Sequence, residues 1–173
     1  MLIETDRLII TEFTIDMAEV VQENSLDEDN IRFVPDEVWE TLEEAKEVLG
    51  FLISQYDKEE GPFVYPIIIK EKNINIGYVQ LCPIEDNKWE IGYHISKKYT
   101  GCGYATEAVN AFLPVIAKKL NISEIYGICL YDNIASRKVM DNCGFNNIFI
   151  GIGFYQGENR KIVKNIWKLS TEL

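Results

Sequence analysis

The spacing of hydrophobic positions changes abruptly near residue 100. Trp89, Ile91, Tyr93 and Ile95 alternate with Glu90, Gly92, His94 and Ser96, which predicts a strand with one apolar and one polar face. The turn Thr100-Gly101-Cys102-Gly103 follows. Beyond it Ala105, Ala108, Val109, Phe112, Ile116 and Leu120 recur at helical spacing, so a long amphipathic helix is expected. Pro114 lies inside that helix, removes one backbone hydrogen bond and is expected to kink it. Lys118 and Lys119 fall in its last turn, where cations suit the helix dipole.

Upstream, Arg7 to Glu12 alternates as a first strand. Thr14 or Asp16 caps a predicted helix that runs to about Ser25 with Val20 and Val21 inward. Leu26-Asp27-Glu28-Asp29-Asn30 reads as an acidic, irregular connection to Phe33, Pro35 and Trp39. Thr41-Leu42-Glu43-Glu44 fits a capping box and opens a second helix, with Leu42, Ala45, Leu49, Leu52, Ile53 and Tyr56 as its buried stripe. Gly61-Pro62 ends that segment. Phe63 to Glu71 and Ile74 to Pro83 predict a hairpin turning at Lys72-Asn73, and Asp86-Asn87 turns the chain into the Trp89 strand.

After the long helix, Glu124 to Leu130 is a strand expected to run parallel to the Trp89 strand, because a helix crosses between them. Asp132 or Asn133 starts a short helix carrying Val139 and Met140, with Gly144 just past its end. Phe145 to Tyr155 and Lys161 to Leu169 form a last strand pair around Gly157-Glu158-Asn159. The order predicts one α/β domain over residues 1–173: a single mixed, mostly antiparallel sheet of about seven strands flanked by about four helices.

A glycine turn that feeds a helix leaves backbone N–H groups unpaired and directed at one place, where the helix dipole adds positive charge. That arrangement suits a phosphate, and Thr100 to Thr106 reads as a pyrophosphate cradle. Two other nucleotide classes fail on the letters. No G-x-x-x-x-G-K-[ST] is present, and the G-x-G-x-x-G pattern begun at Gly101 and Gly103 has Thr106 in place of its third glycine.

Composition narrows the class. The chain is 173 residues long and 47% hydrophobic, enough for one good core, and no apolar run approaches the roughly 20 residues of a membrane span. MLIETDRLII lacks the basic and apolar regions of a signal peptide. Cys82, Cys102, Cys129 and Cys143 show no C-x-x-C spacing and there is one histidine, so reduced thiols, no metal and a cytoplasmic location are expected. The net charge of −11 is uneven: residues 1–60 carry 18 acids against 4 bases, and the remainder 10 against 13. Nucleic acid is disfavoured as a partner of the first third, whereas a polyanionic cofactor on the later part and a cationic acceptor near the acids both fit. The acids equally suit solvated helix faces.

Three stretches together resemble the GNAT superfamily of acetyl-CoA-dependent N-acyltransferases, in its RimL-type branch. They are Glu4-Thr5-Asp6-Arg7-Leu8, the loop Thr100-Gly101-Cys102-Gly103-Tyr104-Ala105-Thr106-Glu107-Ala108, and Asn133 to Val139 followed by Asn142-Cys143-Gly144-Phe145. The loop departs from the family pattern at Thr100 and Cys102, where basic or amide side chains are common, but keeps its glycine geometry. The resemblance implies a splayed parallel strand pair holding acetyl-CoA as co-substrate, no metal, and direct transfer to a primary amine in a ternary complex.

Carried over residue by residue, the resemblance implies that His94, Ile95 and Ser96 offer backbone groups to the pantetheine arm. Thr100, Gly101, Cys102, Gly103, Tyr104, Ala105 and Thr106 would hold the pyrophosphate. Asn133, Ser136 and Lys138 would meet the cofactor arm and phosphates, with Lys97, Lys98 and Arg137 as further cations. Glu90 is the candidate general base, acting through water. Ser136 is the candidate acid for the departing thiolate, with Tyr131 as the alternative. Cys102 as a nucleophile is the minor alternative, since a helix N-terminus lowers a thiol's pKa. The implied acceptor is a protein N-terminal α-amine, or else a polyamine, aminoglycoside or other small cationic amine. A CoA-binding sensor without turnover is the non-catalytic alternative. Membrane partners are not expected, and the last strands are able to pair across a homodimer.

Overall fold

The computed structural model describes residues 1–170. Among these, eight strands form one sheet: β1 (Ile3–Glu4), β2 (Leu8–Ile10), β3 (Phe63–Ile69), β4 (Ile74–Ile84), β5 (Lys88–Ile95), β6 (Glu124–Leu130), β7 (Asn146–Tyr155) and β8 (Glu158–Lys168). Their order is β1-β2-β3-β4-β5-β6-β8-β7, and every neighbouring pair is antiparallel except β5–β6. Helices α1 (Ala18–Ser25), α2 (Glu28–Phe33) and α3 (Leu42–Gln55) lie between β2 and β3 in the chain. Helix α4 (Tyr104–Leu120) joins β5 to β6, and α5 (Ile134–Asn142) joins β6 to β7.

The strand period sorts side chains between two cores. Val79, Leu81 and Ile91 meet Val109, Phe112, Leu113 and Ile116 of α4 in the larger one. Val64 and Tyr78 face the other way, into a smaller core with Phe13, Ala18, Ala45 and Leu49 from the α1–α3 side. Because both faces are covered, β3 is buried along its whole length. Among the described residues no helix is long and apolar enough to cross a membrane.

Two local features shape the centre. Between Ile67 and Ile68 of β3 the register with β4 shifts, so that Ile76 is an extra residue, and next to it β4 and β5 come very close. A Cβ on Gly77 would stand 1.9 Å from the His94 carbonyl oxygen, which only glycine avoids. On its other edge β5 has a single ladder partner in β6, Glu90 opposite Tyr126, whereas β6 and β8 pair at seven consecutive positions from Glu124↔Lys168 to Leu130↔Ile162. Past Glu90 the two parallel strands therefore part, leaving Ile91 to Ile95 without a ladder on that side.

Several expectations need correction. The first strand is shorter than Arg7 to Glu12, and Ile3–Glu4 pairs with it as an additional strand. The supposedly irregular acidic stretch contains helix α2. No apolar stripe announces it; the buried Asn30 amide anchors it by donating to Ser25 O at 3.0 Å and Glu37 O at 2.9 Å. The last hairpin turns at Gln156 and Gly157, both at positive φ, so β8 begins at Glu158 instead of Lys161. Cys129 and Cys143 are buried, Cys82 is half-buried, Cys102 is exposed, and all four are free.

Candidate active site

Where β5 and β6 part, a cavity of roughly 350 Å³ opens through the sheet. The alternation of β5 places Glu90 and His94 on the α1–α3 side, while Ile91, Tyr93 and Ile95 face α4 and α5; all five line the cavity. The gap thus gives access to one point from both faces.

On the first face, burial pushes the Glu90 carboxyl up to about 7, with the Lys164 ammonium pulling the other way. Glu37 stands on the wall of the same cavity, accepting hydrogen bonds from Gln80 Nε2 at 3.0 Å and from the Tyr78 hydroxyl. Burial lowers the affinity of the His94 imidazole for a proton, partly offset by the Asp27 carboxylate at 3.6 Å. That separation is too long for a hydrogen bond, and His94 Nε2 is buried without a partner. Asp29 and the half-buried Tyr155 complete this side.

On the second face, the Tyr93 hydroxyl lies 2.9 Å from Ser136 Oγ and donates to the Ser136 carbonyl at 3.0 Å. Burial pushes the Tyr93 hydroxyl well above its ordinary range. Ser136 sits in the first turn of α5, and Asn133 caps that helix by accepting from the Ser136 N–H at 3.1 Å.

The cradle lies at the N-terminus of α4. Gly101 and Gly103 adopt φ of 75° and 80°, and the Gly103 cap position carries no side-chain hydrogen bond. The Thr100 hydroxyl turns back to the Lys97 carbonyl at 2.8 Å, so it leaves the first-turn N–H groups of α4 uncovered. A 17-residue helix whose leading amides have no side-chain cap is a fitting seat for a diphosphate.

Residues 7–146 match the family model described as "Acetyltransferase (GNAT) domain". The chain belongs to the GNAT acetyltransferase family. It is 30% identical over 143 residues to the uncharacterized N-acetyltransferase YnaD of Bacillus subtilis, spanning 82% of this chain and 81% of that one. An acetyltransferase of the GNAT family from Bacillus anthracis shares the fold with a TM-score of 0.81 at 24% identity, over 97% of this chain and 98% of that one. RimL, a ribosomal L7/L12 α-N-protein acetyltransferase solved in complex with coenzyme A, superposes with a TM-score of 0.83 at 17% identity, over 99% and 100%.

The protein is accordingly an acetyl-CoA-dependent N-acyltransferase, and its uncapped α4 terminus and parted strands fit that co-substrate. The structure gathers Glu90, Ser136, Ile95, Thr100, Ala105 and Asn133 around the cavity. The other residues that the resemblance implies stand as follows. The Ser96 N–H is taken by Ile76 O at 2.7 Å, and its carbonyl accepts from Tyr99 N at 2.8 Å with one lone pair left over. The side chain of His94 points to the Glu90 face, and its backbone lies in the part of β5 that has no ladder to β6. Lys97 pairs with Glu28, and Lys98 with Glu23 at 3.1 Å, which ties these cations to α1 and α2 instead of leaving them for phosphates.

Arg137 donates to the Tyr131 carbonyl and stacks on the Tyr131 ring, whose other neighbour is the Lys161 ammonium at 3.7 Å from the centroid; neither Tyr131 nor Lys138 lines the cavity. Tyr93 is the residue that sequence reading misses, and Glu37 lies within the acidic stretch expected near a cationic acceptor without being singled out there. Tyr93 occupies an apolar position in the strand alternation and reads as core. Glu37 is one acid in a run of acids, and only the wrapping of the chain brings it to β4.

Proposed function

We propose that this enzyme acetylates a cationic primary amine that enters from the Glu90 face, with a protein N-terminal α-amine as the first choice. The observation that carries this reading is the cavity itself. It opens on both faces of the sheet, with carboxylates on one side and the Tyr93–Ser136 hydroxyl pair on the other. Such a passage lets acceptor and donor approach one point from opposite directions, as direct transfer requires.

Acetyl-CoA supplies the thioester. On the acceptor side Asp29 and Glu37 favour an ammonium, and Glu90, with its affinity for a proton set near neutrality, takes the proton that must leave before the nitrogen can attack. On the donor side the Tyr93–Ser136 pair hands a proton to the departing sulfur and is restored, through water, by the second proton that the nitrogen sheds as the amide forms, while the first leaves Glu90 for solvent. The α-amine preference draws on RimL, whose described acceptor is the α-amine of L7/L12. A small polyamine fits the same acidic wall.

The test is acetyl-CoA-dependent thiol release, corrected for the protein's own cysteines. The panel comprises peptides with free N-termini, polyamines, aminoglycosides and amino acids. Saturable release with peptides alone supports the α-amine reading, release with polyamines alone replaces it, and no release with any member of the panel sinks the amine assignment.

A further inference from the structure

Thr5 and Arg7 belong to a stretch with a family-like sequence but no role in the chemistry above, and they meet α4 at the cradle. Arg7 Nε donates to Glu107 Oε2 at 2.6 Å, and its backbone N–H donates to Glu107 Oε1 at 3.1 Å. The Thr5 hydroxyl donates to the same Oε1 at 2.6 Å. Arg7 Nη1 donates to the Cys102 carbonyl at 2.9 Å, and the guanidinium lies over the Tyr104 ring, 4.4 Å from its centroid. One side chain therefore grips the loop before Gly103, the first residue of α4, and a carboxylate one turn further on.

The geometry of the peptide unit gives this grip a consequence. In a planar trans peptide the carbonyl and the following N–H point in opposite directions. Arg7 pulls the Cys102 carbonyl to its own side, so the Gly103 N–H is directed to the other side. Gly101 and Gly103, both in the left-handed region, would otherwise let that peptide turn over. Among the described contacts no other side chain holds the Cys102 carbonyl.

We propose that Arg7 is a positioning residue for the cofactor diphosphate: its bond to the Cys102 carbonyl fixes the Gly103 N–H toward the ligand, while Glu107 and Thr5 fix Arg7. The proposal rests on the cradle reading of Thr100 to Thr106. It differs from direct charge attraction in the sign expected at Glu107. If Arg7 acted only as a positive charge, removing the neighbouring negative charge would strengthen binding of an anion. If Arg7 acts as a clamp, loss of Glu107 loosens it and weakens binding.

The experiment measures dissociation constants for CoA by calorimetry, and for pantetheine, which lacks the diphosphate, by displacement. For R7A the Kd for CoA is expected to rise about tenfold, the scale of one lost charge-assisted hydrogen bond, with pantetheine affinity unchanged. E107Q is expected to raise the Kd for CoA several-fold, and R7A/E107Q to be no worse than R7A alone. Equal losses for CoA and pantetheine would make Arg7 a general support of the fold, and tighter CoA binding by E107Q would make it a charge; either result overturns the proposal. If R7A does not fold, R7K carries the same comparison, because an ammonium cannot bridge Glu107 and the Cys102 carbonyl as the fork does. A wild-type protein that binds pantetheine as tightly as CoA would instead refute the cradle reading.

Discussion

At the scale of single residues, Glu90 joins burial to chemistry. A carboxyl held at about 7 is partly ionised at neutral pH and still basic enough to take a proton. Activity, as kcat/KM, is expected to rise with pH through a limb near 7; E90Q should lose that limb and at least about a hundredfold in kcat. Stability changes in the opposite sense. The folded protein resists ionisation of Glu90 relative to the ordinary 4.5, so its contribution is complete below that value and is lost as pH rises through about 7. E90Q should therefore melt higher than wild type above pH 7, the gap closing as the pH falls toward 4.5, which thermal scans across pH will show. The hydroxyl pair makes a separate prediction. Y93F and S136A should each lower kcat about tenfold or more with little change in binding of CoA, and the double variant should fall well short of the product of the two, since they act as one unit.

At the scale of elements, local signals were strong where a helix or hairpin supports itself. The capping box before α3 is present in full, with the Glu44 N–H donating to Thr41 Oγ1 at 3.2 Å and the Thr41 N–H donating to the Glu44 carboxylate at 3.1 Å. T41A should cost about 1 kcal/mol in urea unfolding, a typical loss for a helix cap, and leave CoA binding unchanged. The cradle responds in binding as well. Gly103 holds φ of 80°, so G103V strains the entry to α4 and should weaken CoA binding severalfold, with a fall in stability of about 1–3 kcal/mol from the strain itself in urea unfolding. The elements that escaped sequence reading are those held by distant partners. Helix α2 is six residues long and fixed by Asn30, and Ile3–Glu4 becomes a strand only because Leu8–Ile10 folds beside it.

At the scale of the whole molecule, the uneven charge resolves into two groups. Glu23 and Glu28 pair with Lys98 and Lys97, and Asp27 accepts the Lys97 N–H at 2.6 Å, so these acids fasten α1 and α2 to the end of β5. Asp29 and Glu37 remain on the cavity wall. The α2 region is tied across the opening as well, by Gln156 Nε2 donating to Phe33 O at 2.6 Å and by Arg32 with Asp132 at 2.9 Å. D29N should raise the acceptor KM with little change in kcat, whereas E23Q should leave both unchanged; steady-state kinetics on the acceptor identified by thiol release decides this.

The letters alone determined the strand–turn–helix of residues 89–120, the α3 helix and the crossover that makes β5 and β6 parallel, because these depend on spacing within a short stretch or on the chirality of one connection. Glycine positions likewise marked the turn into α4. Tertiary structure decided what side chains from distant segments do to one another. It placed Tyr93 on Ser136 and Glu37 on the cavity wall, bound Lys97 and Lys98 to acids, and set Arg7 against the Cys102 carbonyl across 95 positions of sequence. Periodicity tells which face of a strand a residue occupies, but the partner waiting there is fixed only when the sheet closes and parts at β5 and β6.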